Sequence, residues 1–280
     1  MKEKNCIITG GTSGLGLNLV KKFVNNGFFV HVIAKDNIKI NHLSDYFYKR
    51  DLKSFKFYQA DLAEANELSK SILQLKNLNT IDVLINNAGS LFLKKKLNSN
   101  GLEKTFVVNY LSHFFLTLSL IDLIKKTINS RIVNISSWVH KFAKLNLNDI
   151  NFSERYNGVV AYNNSKLMNI LFTYKLSNDY LKGTSTTTNC LHPGFVASKF
   201  GHNNSGVFKN FIKFGQRVQA VSLIEGARAS TFTALSKDLD EVSGKYFDED
   251  CSQIESSRLS HNKNLQDSLW EQSKNLIDKF

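Results

Sequence analysis

Tyr162 and Lys166 stand four residues apart near the start of a run with helical spacing. That separation stacks a phenol and an ammonium on one helical face. A tyrosine with its ordinary pKa near ~10 is a poor base at neutral pH. A neighbouring lysine cation favours the phenolate and lowers that value. The pair can then exchange a proton with an alcohol or carbonyl oxygen. Such spacing alone is common on helix surfaces. It gains meaning from Ser137, a hydroxyl at the end of an apolar run, and from Asn109, a polar residue in an otherwise apolar helix. Taken singly, Ser137 reads as a turn or cap hydroxyl and Asn109 as a satisfied buried amide. Ser136 competes with Ser137 for any role of a hydroxyl there.

The elements that must hold these residues begin with Thr9-Gly10-Gly11-Thr12-Ser13-Gly14-Leu15-Gly16. This octet follows the apolar run Cys6-Ile7-Ile8 and opens the amphipathic run Leu17 to Phe23, so it reads as strand, tight turn, helix. Glycine permits the backbone angles of a sharp turn. It also lets a pyrophosphate approach bare N–H groups at a helix N-terminus, where the dipole favours anions. Further strands are expected at Phe28–Ala34, Ser54–Gln59, Ile81–Ile85, Arg131–Ser136, Thr186–Leu191 and Lys245–Phe247. Helical runs fall between them: Asn37 to Arg50, Ala63 to Leu75, Leu102 to Tyr110 leading into one that ends near Thr127, Val159 to Leu181, and Ser222 to Leu235. Alternation of this kind implies right-handed βαβ crossovers. The expected fold is α/β, a Rossmann-type doubly wound parallel sheet of about seven strands with helices on both faces. Ligands bind such sheets in the crevice at the C-terminal strand ends. The Gly turn, Asp61, Asn86 to Gly89, Ser136-Ser137 and Pro193-Gly194 all fall there.

Composition narrows the remaining classes. The length suits one domain over residues 1–280, and no Pro-rich linker, Gly/Ser-rich stretch or repeat divides it. A lid-like insertion is expected at about 195–220 and a polar tail with one helix, Leu265 to Ile277, after about 251. The lid segment carries Phe200, Phe208, Phe211, Ile212 and Phe214 and suits an apolar substrate pocket. Its alternatives are a helix packed on the core and a membrane-surface helix using Lys209, Lys213 and Arg217. The net charge of +12 is spread along the chain, which suits an anionic cofactor better than nucleic acid. Cys6, Cys190 and Cys251 have no CxxC spacing and read as reduced thiols of a cytoplasmic protein. No signal peptide and no membrane span are expected. His31, His113, His140 and His192 form no ligand pattern, so no metal is expected.

These motifs, from about residue 4 to 250, resemble a short-chain dehydrogenase/reductase of the single-domain kind. The resemblance rests on TGxxxGxG at Thr9 to Gly16, Asp61-Leu62, Asn86-Asn87-Ala88-Gly89, Val108-Asn109, Ile135-Ser136-Ser137, Tyr162-xxx-Lys166 and Pro193-Gly194. It implies a catalytic tetrad of Asn109, Ser137, Tyr162 and Lys166. Tyr162 would be the acid/base and Ser137 would bond the substrate oxygen. Lys166 would bind the nicotinamide ribose and depress the Tyr162 pKa, and Asn109 would hold a relay water. The implied cofactor contacts are Gly10, Thr12, Ser13, Gly14, Leu15, Gly16, Lys35, Asp61, Leu62, Asn87, Ala88, Gly89, Tyr162, Lys166, Pro193, Gly194 and Val196. Asn109-Tyr110-Leu111-Ser112-His113-Phe114, the long Ser-to-Tyr segment, His192-Pro193-Gly194, Gly244 to Phe247 and Leu269-Trp270 resemble the retinol-dehydrogenase-like branch. The membrane anchor of many members is not expected here, and Ser112 stands where the branch usually has glycine. Self-association through the helices at Asn109 to Ile124 and Tyr162 to Tyr180 is implied by resemblance.

The expected reaction is hydride transfer between a nicotinamide and an apolar alcohol, aldehyde or ketone. Alternatives are a silent nucleotide-sensing protein and a nucleotide-sugar epimerase or dehydratase. NAD sites usually place an acid at the end of the second strand. Here Ala34 stands there, followed by Lys35, which can pair with a 2′-phosphate. The cofactor expected is therefore NADP, with NAD the alternative if the strand runs on to Asp36. Asp61 would cap the adenine side, or else cap the helix after it.

Overall fold

The structure is a computed structural model and describes residues 3–50, 52–194 and 223–278. The strands are β1 (Lys4–Thr9), β2 (Phe28–Ala34), β3 (Phe55–Gln59), β4 (Val83–Asn86), β5 (Arg131–Ile135), β6 (Thr187–Leu191) and β7 (Tyr246–Phe247). They form one seven-stranded sheet in the order β3-β2-β1-β4-β5-β6-β7, and every pair is parallel. The expected doubly wound sheet is what forms. The order reverses between β1 and β4, where Cys6 to Ile8 pair with Val83 to Ile85. The C-terminal ends of these two strands open the crevice.

The helices are α1 (Gly14–Asn25), α2 (Asn37–Tyr48), α3 (Ala65–Leu75), α4 (Lys104–Lys126), α5 (Gly158–Lys175), α6 (Leu223–Leu235) and α7 (Lys263–Ile277). β4, β5 and β6 are buried along their whole length, including the polar residues of β5 and β6. Alternate residues feed two cores. Cys6, Ile8, Val32, Ile85 and Val133 pack with Leu19, Phe23 and Phe47 on the α1, α2 and α6 side. Ile7, Ile33, Leu84 and Ile132 pack with Leu68, Phe114, Leu171 and Trp270 on the α3, α4, α5 and α7 side. Helices therefore cover both faces.

Boundaries differ from expectation for local reasons. β4 starts at Val83, because the Ile81 N–H is taken by Thr127 Oγ1 at 3.1 Å outside the ladder. α3 starts at Ala65, because Asp61 Oδ1 accepts the Ala63 N–H at 3.0 Å and holds a turn there. The two runs around Asn109 are one helix, α4, with a π-helical turn at Val107–Leu111. α5 likewise ends in a π-helical turn at Leu176–Tyr180. α4 is long and apolar enough to cross a membrane: it has 23 residues, and its most apolar 18-residue window has mean hydropathy 1.6. In the fold it is a core helix lying against α3 and α5.

Candidate active site

β1 delivers the chain to the crevice at Thr9, and the Gly turn reverses it into α1. Gly10 and Gly14 have φ of +69° and +54°, which glycine adopts without steric cost. A Cβ on Gly16 would sit 2.3 Å from the Gly10 carbonyl oxygen and 2.5 Å from Asn87 Nδ2, so that position must be bare. Ser13 is the N-terminal flank of α1, in extended conformation and with no side-chain cap bond. The first turn carries no acid. A glycine cradle before an uncapped helix N-terminus fits a pyrophosphate.

Thr9 ties this turn to the end of β4. Its Oγ1 accepts the N–H groups of Asn87 and Ala88, both at 3.0 Å, and its carbonyl accepts Asn87 Nδ2 at 2.8 Å. Gly89 follows, and a Cβ there would lie 3.5 Å from Lys166 Nζ and 3.7 Å from Asn109 Oδ1. The end of the Asn86 to Gly89 stretch therefore touches the tetrad.

Asn109 is wholly buried on the π-helical turn of α4. Its Oδ1 accepts the Ser90 N–H at 2.7 Å, and its Nδ2 donates to Ser90 O at 3.0 Å and Ser165 Oγ at 2.9 Å. The side chain is consumed in holding the β4 loop and α5 against α4. The π register is visible in Ser112, whose N–H reaches Val107 O. Its Oγ then occupies Val108 O at 3.1 Å. Ser112, the departure from the branch's glycine, thus has a local use. His113 Nδ1 lies 3.1 Å from Asn109 O and must donate there, since a carbonyl only accepts. Its Nε2 is then the acceptor for Thr9 Oγ1 at 3.0 Å. Burial pushes the His113 pKa down to about 3, consistent with this neutral ring.

The two serines after β5 separate cleanly. Ser136 is buried and its Oγ donates to Lys166 O at 2.7 Å, tying β5 to α5. The Ser137 side chain lies beside Tyr162. Lys166 Nζ donates to Ile135 O at 3.0 Å and lies 5.6 Å from the centre of the Tyr162 ring. Burial lowers Lys166 to about 8. Burial also pushes Tyr162 above its ordinary value, and the polar Ser137 side chain opposes that rise. The expected depression of Tyr162 by Lys166 is therefore not the dominant effect among the side chains themselves. Removal from water favours the uncharged phenol. The arrangement presents a phenol, a serine hydroxyl and a buried amine at one end of the crevice.

At the far end, β2 stops at Ala34. Lys35 is exposed, with Nζ 3.6 Å from Asp61 Oδ2. Asp36 is occupied: its carboxylate accepts the Lys39 N–H as the cap of α2 and pairs with Lys39 Nζ at 2.7 Å. Leu62 is buried behind Asp61. Pro193 and Gly194 follow β6, with Gly194 at φ +70°. Val196 and the expected lid at about 195–220 lie outside the described residues. Among the described residues no cluster of His, Cys, Asp and Glu is arranged to hold a metal.

The family model described as short chain dehydrogenase matches residues 4–206. The chain belongs to the short-chain dehydrogenase family. Retinol dehydrogenase 12 of Mus musculus is 31% identical over 280 residues, covering 98% of this chain and 86% of that one. Short-chain dehydrogenase TIC 32 B, chloroplastic, of Brassica napus is 32% identical over 290 residues, covering 100% and 90%. In fold, the chain is similar to NADPH-bound carbonyl reductase from chicken fatty liver, at 17% identity and a TM-score of 0.66, covering 91% of this chain and 100% of that one. This short-chain dehydrogenase lies in the retinol-dehydrogenase-like branch and acts on CH–OH groups.

Three site residues of the dehydrogenase escaped the sequence reading: Thr9, His113 and His140. Thr9 opens the Gly motif, but its ties to Asn87 and Ala88 carry no sequence signal. His113 follows Asn109 by one helical turn, a spacing that puts both on one face. His140 follows Ser137 by three residues, but the 3-10 turn Trp138–Phe142 that folds it back has no clear periodic signal.

Proposed function

We propose that the chain is an NADP(H)-dependent oxidoreductase for an apolar alcohol, aldehyde or ketone, built as one dinucleotide-binding and catalytic domain over residues 1–280. The observation that carries the catalytic reading is Lys166 Nζ 5.6 Å from the centre of the Tyr162 ring, with Ser137 beside the same tyrosine. Gly10, Thr12, Ser13, Gly14, Leu15 and Gly16 would hold the pyrophosphate. Asp61 and Leu62 would flank the adenine, and Asn87, Ala88 and Gly89 would line the path to the nicotinamide. Pro193, Gly194 and Val196 would close its far side. When bound, the nicotinamide supplies or accepts the hydride. Tyr162 gives a proton to the carbonyl oxygen in reduction and takes it back in oxidation. Ser137 donates a hydrogen bond to the same oxygen and orients it. Lys166 binds the ribose and, when protonated, stabilises the phenolate that reduction leaves. Asn109 keeps the β4 loop and α5 together around that centre.

NADP is favoured by charge. Lys35 is exposed at the end of β2, and Asp36, the acid an NAD reading needs, is committed to Lys39 and the α2 cap. A 2′-phosphate would meet a cation there and no free acid from Asp36. The apolar substrate is favoured by Trp138 and Phe142, half exposed and edge-to-face at 5.1 Å in the turn after Ser137. The name of the Mus musculus relative, a retinol dehydrogenase, agrees.

The test is a screen of NADPH and NADH oxidation across aldehydes, ketones and quinones. Turnover that Tyr162→Phe abolishes is the expected result. Cofactor binding without any Tyr162-dependent turnover would overturn the catalytic reading.

A further inference from the structure

The segment after Cys251 reaches the site from an unexpected direction. The N–H of Ser257 donates to His140 Nε2 at 3.0 Å. An N–H only donates, so Nε2 is the acceptor and the ring proton sits on Nδ1. That proton meets Ser137 O at 2.8 Å, beside the backbone bond from His140 N to the same oxygen at 3.1 Å. His140 is 1% exposed, and its ring stands edge-on to Tyr246 at 5.0 Å. The ring has no freedom to turn away.

Ser257 is itself held through its neighbours. Ser256 Oγ lies 2.6 Å from Tyr174 OH on α5, and Ser260 Oγ donates to Ser257 O at 2.6 Å. Downstream, α7 inserts Trp270 against Phe114 of α4 and Phe172 of α5, at 5.0 and 5.8 Å between ring centres. Ser273 Oγ meets Tyr110 OH, next to Asn109, at 2.8 Å. The segment is thus pinned to the helices that carry Asn109, Tyr162 and Lys166.

We infer that the C-terminal segment positions Ser137 toward Tyr162 through the relay Ser257 N–H to His140 to Ser137 O. This rests on the proposed reading of Ser137 as the donor to the substrate oxygen. His140 is a positioning residue. It fixes the peptide from which the Ser137 side chain projects, in extended conformation at φ −157° and ψ 151°. A misplacement of about 1 Å at such a group lowers turnover by roughly a hundredfold.

Three variants separate the links. His140→Asn keeps an amide N–H near the Nδ1 position. His140→Gln places its amide near the Nε2 position and leaves no donor at the Nδ1 position. Ser257→Pro deletes the N–H at a residue whose φ of −61° suits proline. The expected result is a fall in kcat of about tenfold to a hundredfold for His140→Gln, with the KM for NADPH unchanged. His140→Asn should recover most of the loss, and Ser257→Pro should lose about tenfold. In a Ser137→Ala background, His140→Gln should cost no further activity. Unchanged kcat in both His140→Gln and Ser257→Pro would overturn the inference. So would an equal loss from His140→Gln with or without Ser137, which marks a merely structural histidine. Nitrogen-15 spectra of the His140 ring give a readout that needs no turnover. A ring protonated on Nδ1 that changes in Ser257→Pro supports the relay, and a ring protonated on Nε2 overturns it. Wild-type protein lacking Tyr162-dependent turnover but showing the Nδ1–H ring would count against the catalytic reading and leave the relay standing.

Discussion

Lys166 is a buried cation that donates to Ile135 O, and its loss of hydration brings it to about 8. Its proton is therefore given up in the range where enzymes are assayed. If the ammonium stabilises the Tyr162 phenolate, kcat/KM should fall as pH rises through about 8, because that ratio reports the free enzyme. Lys166→Arg, which stays charged, should move this limb to higher pH or remove it. A flat profile from pH 7 to 10 would count against a charged Lys166. Tyr162→Phe should lower kcat by roughly a hundredfold to ten-thousandfold, the usual share of a positioned acid or base. At the other end of the site, Lys35→Asp should turn preference from NADPH toward NADH, read as the ratio of kcat/KM values. Equal ratios before and after would sink the assignment of Lys35. These residues were legible because their types and spacings survive without coordinates. The direction of the Tyr162 shift was not, because burial depends on what packs around the ring.

At the scale of elements, the Gly turn and α4 do the positioning. Gly16→Ala places a carbon 2.3 Å from Gly10 O, which the turn cannot absorb without moving. NADPH affinity, measured by fluorescence titration, should fall at least tenfold in that variant. The π-helical turn of α4 holds Asn109 and is pinned by Ser112 and His113. π turns of this kind are rare and concentrate at functional sites. The sequence reading had one helical run leading into another there. It missed that the helix continues with one shifted register, because an apolar π turn and an apolar α turn have the same composition. It likewise started α3 two residues early, since the Asp61 turn resembles a helix cap until its acceptor is located.

For the whole molecule, α7 forms close to the expected Leu265 to Ile277, but what it packs against was not visible in sequence. It covers part of α4 and α5, the helices through which self-association was expected. Trp270 is nearly fully buried between Phe114, Phe172 and Tyr180. Trp270→Ala should cost about 3–5 kcal/mol in urea unfolding, as large aromatic truncations do. A loss below about 1 kcal/mol would show that the helix end collapses into the gap. Acid should destabilise the fold as well. Burial lowers His31 and His140 to about 4 and His113 to about 3. Below their ordinary value near ~6.5 the unfolded chain takes up protons that the folded rings refuse. Stability is therefore highest above that value and falls as pH drops toward 4. Each ring costs up to about 1.4 kcal/mol per unit while only the unfolded form is protonated. Urea midpoints at pH 7.5 and 5.0 measure this, and equal midpoints would contradict it.

The residue order by itself determined the parallel sheet, the place of the crevice and the sharing of one helical face by Tyr162 and Lys166. Those follow from local periodicity and from spacings that short-range geometry fixes. Tertiary structure decided which of two adjacent serines faces Tyr162, since Ser136 is spent on Lys166 O. It also decided that Asp36 caps α2 and that the polar tail reaches His140 from more than a hundred residues away. Such partners are brought together by packing of the sheet and its helices, and no period or motif records a contact that distant.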